Sequence, residues 1–275
     1  MRTALVLEGG AMKGMYTAGV LDLFMDHDIK FDGIIGVSAG ALFGVNYLSK
    51  QKGRAIRYNK RYNGDPNYMG IRPLLKTGNI IDTHFAYEKV PHELDPFDDE
   101  TYMKSQVPFY AVVTNIRTAK PEYMQIKSVF QQMDVLRASG SMPFMAKPVE
   151  IGGELYLDGA VTDSIPFEHM LELGYDRLVV VLTKVPGYVK GPIPPIMPSL
   201  YYKKKYPEFA RAVENRHLMY NGQMDRLQKL EGQGKALVIR PSEYVKIGRI
   251  EKDPEVMETM YQLGIADGKK FIEKL

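Results

Sequence analysis

The hydrophobic positions follow two alternating patterns over the first fifty residues. Residues 4–7 form a short apolar run that ends at glycines, which is typical of a parallel strand buried on both faces. From residue 14 to about residue 27, apolar residues recur at steps of three and four, which predicts an amphipathic helix. The same pair follows at once, with a strand at 31–36 and a helix at 41–49. Two strand–helix units in fifty residues indicate a parallel sheet.

Strand and helix patterns continue through the remainder of the chain. Apolar runs predict strands at 108–114, 122–126, 154–157, 177–183 and 236–239, the second pairing with the first. Helical spacing predicts helices at 129–138, 167–173, 207–231 and 254–274. Residues 53–108 mix tyrosine, asparagine, glycine and proline, which favours short helices and loops. Five prolines between 186 and 198 predict an extended loop, because proline cannot continue a helix or a central strand.

Composition narrows the function classes that this pattern could serve. The chain has 275 residues, 45% hydrophobic and 25% charged, which is typical of a globular protein and fits a single large α/β domain. It contains no cysteine, so disulfides, cysteine-ligated metals and thiol nucleophiles are excluded. The net charge of +3 is too small to indicate nucleic-acid binding, so we expect no nucleic-acid partner.

Targeting and membrane-spanning signals are not evident in the sequence. The first residues do not form the apolar segment of a signal peptide, because Glu8 and two glycines interrupt them. No apolar run reaches the roughly 18 residues that a membrane span needs. We therefore expect a cytoplasmic protein whose contact with membranes is at most peripheral.

A serine lies in the turn between the second predicted strand and its helix. The turn, Gly36-Val37-Ser38-Ala39-Gly40, fits the pattern G-x-S-x-G, in which a serine is exposed at a sharp bend. Glycines avoid the clashes of a strained backbone, and the N-terminus of the helix favours negative charge near Ser38. Ordinary tight turns also contain this pattern, but the strand before it and the helix after it favour a catalytic nucleophile.

A second glycine-rich turn follows the first predicted strand, with the sequence Gly9-Gly10-Ala11-Met12-Lys13-Gly14. Such a turn can direct several backbone N–H groups at an anion. It lacks the glycine spacing and the downstream acid of a dinucleotide site, and no Ser or Thr follows Lys13 as in a Walker loop. An oxyanion hole for acyl transfer by a serine is the remaining chemical use, and close packing of helix on strand is the structural alternative.

A serine nucleophile needs a base, and none of the five histidines follows a strand as the histidine of a catalytic triad does. His169 and His217 stay as alternatives, both on predicted helices. Asp158 is the better candidate because it follows the predicted strand 154–157, and α/β sheets build sites at strand ends. An ordinary carboxylate is a weak base, so Asp158 fits this role only if burial raises its pKa and an oxyanion hole stabilises the product charge.

The three motifs, in this order along the chain, resemble those of the patatin-like phospholipases; the third is Asp158-Gly159-Ala160. The stretch between the second and third motifs, including Ala138-Ser139 and Met142-Pro143-Phe144, is also similar to that family. The resemblance covers about residues 4–183. It implies a catalytic domain folded as a three-layer α/β/α sandwich with a mostly parallel central sheet. Residues 184–275 are expected to form a C-terminal extension on the same domain, with a proline-rich loop at 186–198, a long helix, a strand and a terminal helix.

The resemblance also implies an activity and the residues that carry it. Ser38 would be the nucleophile and Asp158 the base of a Ser–Asp dyad. The oxyanion hole would consist of Gly9, Gly10 and Ala11. The expected reaction is hydrolysis of fatty-acyl esters of lipids through an acyl-enzyme, without a metal or cofactor. The family usually has glycine where Ala11 stands, and alanine resists a positive φ. We therefore expect either an ordinary φ at Ala11 or a distorted hole.

Aromatic and basic residues follow the proline-rich loop, in the sequence Tyr201-Tyr202-Lys203-Lys204-Lys205-Tyr206. Interfacial aromatics beside positive charge are typical of a membrane-docking lid, so this segment is a candidate for peripheral membrane contact. A solvated helix start is the alternative interpretation.

Two further functions stay open at this point. A catalytically silent lipid-binding protein would result if the loop at Ala11 could not hold an oxyanion. An esterase with a Ser-His-Asp triad, as in α/β-hydrolases, would use His169 or His217 as its base.

Overall fold

One eight-stranded sheet forms the centre of the computed structural model of the protein, which describes residues 1–273. In chain order its strands are β1 (Thr3–Leu7), β2 (Gly33–Val37), β3 (Phe109–Asn115), β4 (Lys120–Gln125), β5 (Val149–Ile151), β6 (Glu154–Asp158), β7 (Arg177–Val181) and β8 (Ala236–Ile239). Every strand expected from an apolar run is present, and β4 pairs with β3 as predicted.

Ten α-helical segments surround the sheet in the described part of the chain. They are α1 (Met15–Asp26), α2 (Ala39–Leu48), α3 (Arg54–Tyr62), α4 (Ile71–Thr77), α5 (Asp99–Lys104), α6 (Met133–Gly140), α7 (Phe167–Glu172), the single turn α8 (Ile196–Pro198), α9 (Pro207–Gly232) and α10 (Pro254–Ile272). Two π-helical segments lie at Phe85–Leu94 and Ser199–Lys203. The last residue predicted for the terminal helix, 274, lies outside the described residues. No helix within residues 1–273 is both long enough and apolar enough to cross a membrane.

The order of the strands explains how the site is assembled. Five strands run parallel in the order β3-β2-β1-β7-β8, as the strand–helix units predict. β4 pairs with one edge of β3. On the other edge, β2 pairs as far as Val112, and β6 runs antiparallel from Val113 onwards. The carboxyl ends of β2 and β6 therefore meet on β3, which brings Ser38 and Asp158 together although they are far apart in sequence.

Side chains alternate between the two faces of the sheet, and helices cover both faces. In β1, Leu5 and Leu7 belong to one buried cluster with residues of α1, α2, α6 and α10. Ala4 and Val6 belong to a second cluster with residues of α7 and α9. This arrangement is the three-layer α/β/α sandwich with a mostly parallel sheet, and it confirms the predicted fold class. The region after residue 183 adds β8 to the sheet and one long helix to each face.

Two local features differ from the sequence-based predictions. The helix predicted from residue 129 begins at Met133, because the Asp99 carboxylate accepts hydrogen bonds from the Ser128 hydroxyl at 2.6 Å and the Val129 N–H at 2.7 Å and holds that segment in a turn. Strand β5 was not predicted. It is only three residues long and pairs with β6 across Gly152–Gly153, where both residues have positive φ, as a two-residue hairpin turn requires.

Candidate active site

Ser38 lies in a strained turn between β2 and α2. Its φ of 56° is in the left-handed region, which costs a residue with a side chain about 1–3 kcal/mol. A Cβ on Gly36 would lie 2.6 Å from the carbonyl oxygen of Gly40, and one on Gly40 would lie 2.4 Å from that of Leu7. The Ser38 N–H donates to Ser139 Oγ at 2.9 Å, which ties the turn to the end of α6. The sharp strand-to-helix turn that the G-x-S-x-G motif predicts is therefore present.

Ser38 and Asp158 are in direct contact. The Ser38 hydroxyl donates a hydrogen bond to Asp158 Oδ2 at 2.8 Å. The other carboxylate oxygen accepts from the Ala160 N–H at 2.8 Å, so the turn after β6 orients the group. Ser38 is 5% exposed and Asp158 is 4% exposed, which removes most competing water from the pair. The two residues that the sequence singled out as nucleophile and base thus share one hydrogen bond with no side chain between them.

Burial raises the pKa of the Asp158 carboxyl group above the usual range for aspartate. Four groups partly offset this effect because they favour the ionised form: the positive charges of Arg216 and Arg249, the Ala160 N–H and the Ser38 hydroxyl. The net direction is the one that a carboxylate needs in order to accept a proton from a serine hydroxyl. The structure thus meets the electrostatic condition that the sequence placed on this residue.

Gly9, Gly10 and Ala11 form a loop beside Ser38. A Cβ on Gly9 would lie only 3.0 Å from the Ser38 Cβ, so the loop approaches the serine closely. Within residues 1–273, the backbone N–H groups of these three loop residues donate to no protein acceptor. The N–H of Ser38 itself is already bonded to Ser139. The loop N–H groups are therefore available to a negatively charged oxygen at Ser38, as an oxyanion hole requires.

Ala11 has a φ of 48°, in the left-handed region. The alternative in which alanine keeps an ordinary φ is therefore wrong. The loop adopts the conformation that glycine would adopt, at a cost of about 1–2 kcal/mol for a residue with a Cβ. Such strain persists where the surrounding structure holds the backbone in place, and it is common at functional sites.

An apolar cavity opens beside Ser38, with a volume of about 130 Å³. Its wall comes from α2, α3, α6 and the π-helical segment that follows α4, through side chains that include Leu42, Phe43, Tyr58, Val90 and Leu136. The cavity can hold an alkyl chain next to the serine hydroxyl.

A second cavity, of about 380 Å³, meets the first at Ser38 and Ala11. Its wall carries the cationic side chains of Lys13, Lys184, Lys190, Arg216 and Arg249. Ser38 therefore lies between an apolar cavity and a cationic one. In the part of the chain that the structure describes, no three His, Asp or Glu side chains are grouped so that they could hold a metal ion.

The two histidines kept as alternative bases do not contact Ser38. His169 stacks on the Tyr123 ring with the centroids 3.7 Å apart, and it lines neither cavity. His217 lines the cationic cavity, but its Nδ1 lies 3.0 Å from the carbonyl oxygen of Glu214 in its own helix. The geometry therefore favours Asp158 over either histidine as the partner of the serine.

Two polar residues that shape the site were not predicted from the sequence. Ser139 holds the backbone of Ser38 in place. The carboxylate of Glu8 accepts hydrogen bonds from the Thr183 hydroxyl at 3.0 Å and the Tyr220 hydroxyl at 2.9 Å, which links the start of the glycine loop to the segment after β7 and to α9. Glu8 could have been singled out from the sequence, because it is an acid directly after a buried strand. Ser139 could not, because a serine at the end of a helix is common and indicates no role.

The segment predicted to dock on membranes contains both exposed and buried side chains in the structure. Leu200 and Tyr201 are 79% and 60% exposed, whereas Tyr202 is 8% exposed. The Tyr202 hydroxyl accepts a hydrogen bond from the Phe144 N–H at 3.0 Å, and its ring packs on Phe209. Because Phe144 also lines the cationic cavity, the exposed residues lie beside that cavity.

Comparison with known families accounts for most of the chain. The model of a family described as patatin-like phospholipase matches residues 5–171, which contain all three motifs. A model described as a domain of unknown function (DUF6363) matches residues 206–275.

Individual relatives match the chain less completely. The uncharacterized protein YjjU of Escherichia coli (strain K12) is 33% identical over 66% of this chain and 52% of that protein. Lysophospholipase nte1 of Aspergillus fumigatus is 26% identical over 98% of this chain and 18% of that protein. The chain thus spans about half the length of the first relative and under a fifth of the second. The crystal structure of VipD from Legionella pneumophila aligns with a TM-score of 0.49 at 13% identity, covering 99% of this chain and 67% of that one. Because the first family model covers more than half of its length, this chain belongs to the patatin-like phospholipase family.

Proposed function

We propose that the protein is a serine acylhydrolase that cleaves fatty-acyl esters of lipids through a Ser38–Asp158 dyad. The observation that carries this proposal is the 2.8 Å hydrogen bond from the Ser38 hydroxyl to the buried Asp158 carboxylate, made in the wall of an apolar cavity. Lipid esters as the substrate class are supported by membership of the family and by the name lysophospholipase of the fungal relative.

The first half-reaction transfers the acyl group to Ser38. Asp158 accepts the hydroxyl proton while Ser38 Oγ attacks the carbonyl carbon of the ester. The π electrons of the carbonyl move onto its oxygen, which accepts hydrogen bonds from the N–H groups of Gly9, Gly10 and Ala11. When the intermediate collapses, the bond to the alkoxy oxygen breaks and Asp158 returns the proton to the leaving alcohol. The acyl group then forms an ester with Ser38.

The second half-reaction releases the fatty acid. Asp158 accepts a proton from a water molecule as the water oxygen attacks the acyl-enzyme carbonyl. The same loop N–H groups bind the second oxyanion. Collapse breaks the bond to Ser38 Oγ, which regains its proton from Asp158. The enzyme returns to its starting state, and no metal or cofactor enters either step.

We expect a long-chain alkyl fluorophosphonate to form one adduct on the wild-type protein and none on Ser38→Ala. The phosphorus centre reacts only with an activated hydroxyl, and the alkyl chain fits the apolar cavity. Intact-mass spectrometry measures the adduct. His169→Ala is the matched control and is expected to keep the adduct, since His169 lines neither cavity.

The outcomes separate the competing functions. Absence of the adduct on folded wild-type protein would contradict the proposal and favour a catalytically silent lipid-binding protein. Loss of the adduct in His169→Ala would favour a triad esterase instead. An adduct on Ser38→Ala would show that another nucleophile reacts.

Peripheral membrane contact is a further part of the proposed function. Leu200 and Tyr201 are exposed beside the cationic cavity, and the three lysines at 203–205 are exposed next to them. Aromatic and apolar side chains insert at the membrane interface, and lysines are attracted to anionic lipids. The segment around these residues would therefore hold the cavity against the lipid surface that supplies the substrate.

The double variant Leu200→Ser/Tyr201→Ser is expected to bind anionic vesicles about tenfold more weakly than wild type, because two apolar side chains that would insert into the membrane interface are lost. Co-sedimentation with vesicles measures the binding. Met103→Ser/Leu173→Ser is the matched control, since both residues are exposed at the opposite end of the sheet. Equal losses in the two double variants would contradict a docking role for the segment.

A further inference from the structure

Four of the cations around the second cavity come from the C-terminal third of the chain. Lys184 and Lys190 lie on the loop after β7, Arg216 lies on α9, and Arg249 lies between β8 and α10. No single element carries them all, so their meeting place is a product of the fold. All four line the same cavity as Ser38.

These cations are poorly compensated by acidic side chains. Within residues 1–273, no carboxylate oxygen lies within 4.0 Å of the charged atoms of Lys190, Arg216 or Arg249, and Lys184 has only Glu8 at that limit. The Nε atom of Arg216 is buried and has no hydrogen-bond partner in the described residues. A buried guanidinium donor without an acceptor is costly, and an incoming anion would remove that cost.

The cations also act on one another. Burial, together with the charges of Arg216, Lys184 and Arg249, lowers the pKa of the Lys190 ammonium to about 8. Burial likewise lowers the pKa of Lys184, in part against the attraction of Glu8. Repulsion of this kind is relieved when an anion binds among the charges.

Most of the carboxylates that line the same cavity already accept hydrogen bonds from protein groups. The Glu8 carboxylate accepts hydrogen bonds from Thr183 and Tyr220. Asp158 is bonded to Ser38 and to the Ala160 N–H. Glu214 is the one other carboxylate among the described lining residues, against five cations. A zwitterionic lipid headgroup would have to place its own cationic group among these five positive charges, which would repel it.

We propose that Lys184, Lys190, Arg216 and Arg249 bind the phosphate of an anionic lipid headgroup while the acyl chain of the same molecule occupies the apolar cavity. The proposal rests on the proposed function, since the ester between the two ends must reach Ser38. The two cavities meet at Ser38 and Ala11, so one lipid can span both. Arg216 and Arg249 lie in residues 206–275, which gives the region matched by a domain of unknown function a role in substrate selection.

The first test compares two lipids with the same palmitoyl chain. Wild-type kcat/KM is expected to be about 10- to 100-fold higher for lysophosphatidylglycerol than for lysophosphatidylcholine. Both lipids carry the phosphate, but the choline ammonium of the second would lie among the cations of the cavity and be repelled by them. In Lys190→Gln/Arg249→Gln this ratio is expected to fall towards one, mainly through KM. Lys229→Gln/Lys235→Gln removes the same charge from exposed positions outside the cavity, and it is expected to keep the wild-type ratio. A wild-type ratio near one, or an unchanged ratio in Lys190→Gln/Arg249→Gln, would overturn the proposal.

The second test measures binding without turnover. Ser38→Ala is titrated calorimetrically with dodecyl phosphate and with inorganic phosphate. We expect dodecyl phosphate to bind at least about tenfold more tightly, and the added changes Lys190→Gln/Arg249→Gln to weaken it. Equal binding of inorganic phosphate would identify a site for the free anion and overturn the lipid assignment. Retained binding of dodecyl phosphate with no fluorophosphonate adduct on wild type would contradict the proposed hydrolase function and leave headgroup recognition standing.

Discussion

Asp158→Asn is expected to lower kcat for ester hydrolysis by about 10⁴-fold, a loss typical of disabling the base that serves a serine nucleophile. The asparagine side chain has nearly the same shape as aspartate and can still accept the hydrogen bond from the Ala160 N–H. It cannot take the proton that Ser38 Oγ donates at 2.8 Å. The variant should therefore keep its fold and its lipid affinity while losing turnover.

Stability supplies the internal control for this variant. Burial raises the pKa of Asp158 in the folded protein, so ionising this group costs folding free energy. The cost is absent below the pKa of the unfolded chain and develops as the pH rises through the folded-state pKa. Asp158→Asn should therefore unfold at a temperature a few degrees above wild type at neutral pH, and this gain should shrink in acid.

Three measurements complete the test of Asp158. Thermal unfolding is followed at several pH values, and kcat is measured on a soluble ester and on a lipid. The acid limb of the wild-type kcat/KM profile should lie above the usual aspartate range, because the base must be ionised to act. Retained turnover in Asp158→Asn would refute the dyad. A destabilised variant at neutral pH would contradict the proposed cost of burial.

The layers of the fold could be predicted because their signals are local. The apolar runs at 4–7 in β1 and 178–181 in β7 contain no polar residue, so they indicate strands covered on both faces, and the structure has helices on both faces there. The late start of α6 could not be predicted. It depends on the Asp99 carboxylate, which reaches Ser128 and Val129 from a different part of the chain. Contacts between distant segments leave no periodic trace in the sequence.

The same distinction applies to the candidate site. Ser38 and Asp158 could be singled out because each stands in a short motif at a strand end, but their contact depends on β2 and β6 sharing one edge of β3. The cations of the second cavity follow no common spacing in the sequence. Arg216 lies on α9, whose sequence is that of a polar surface helix and indicates no binding site. Only folding brings Arg216 to the cavity that contains Ser38.

Gly10→Ala is expected to lower kcat by about 10²- to 10³-fold, the loss typical of displacing one oxyanion donor. The φ of Gly10 is −172°, so this position does not require the left-handed conformation that favours glycine. The added Cβ would instead lie 2.6 Å from Thr183 Oγ1 and 3.1 Å from Thr183 Cγ2. Thr183 is buried and its hydroxyl is bonded to Glu8, so the loop must move rather than the threonine.

A double-mutant cycle with Thr183→Ala tests this explanation. Removing Oγ1 and Cγ2 leaves the Thr183 Cβ at 3.0 Å, a distance that a shift of a few tenths of an ångström relieves. Gly10→Ala should therefore cost much less kcat in the Thr183→Ala background than in wild type, although Thr183→Ala alone loses the hydrogen bonds of the hydroxyl to Glu8 and to the Gly9 carbonyl. The four proteins are compared by kcat on one soluble ester, with KM as a check on substrate binding. An equal loss in both backgrounds would show that the position of the loop against Thr183 does not control the reaction. A large coupling between the two sites would instead mean that the N–H groups beside Ser38 act only when Gly10 fits against Thr183, because contacts with this residue set the position of the loop.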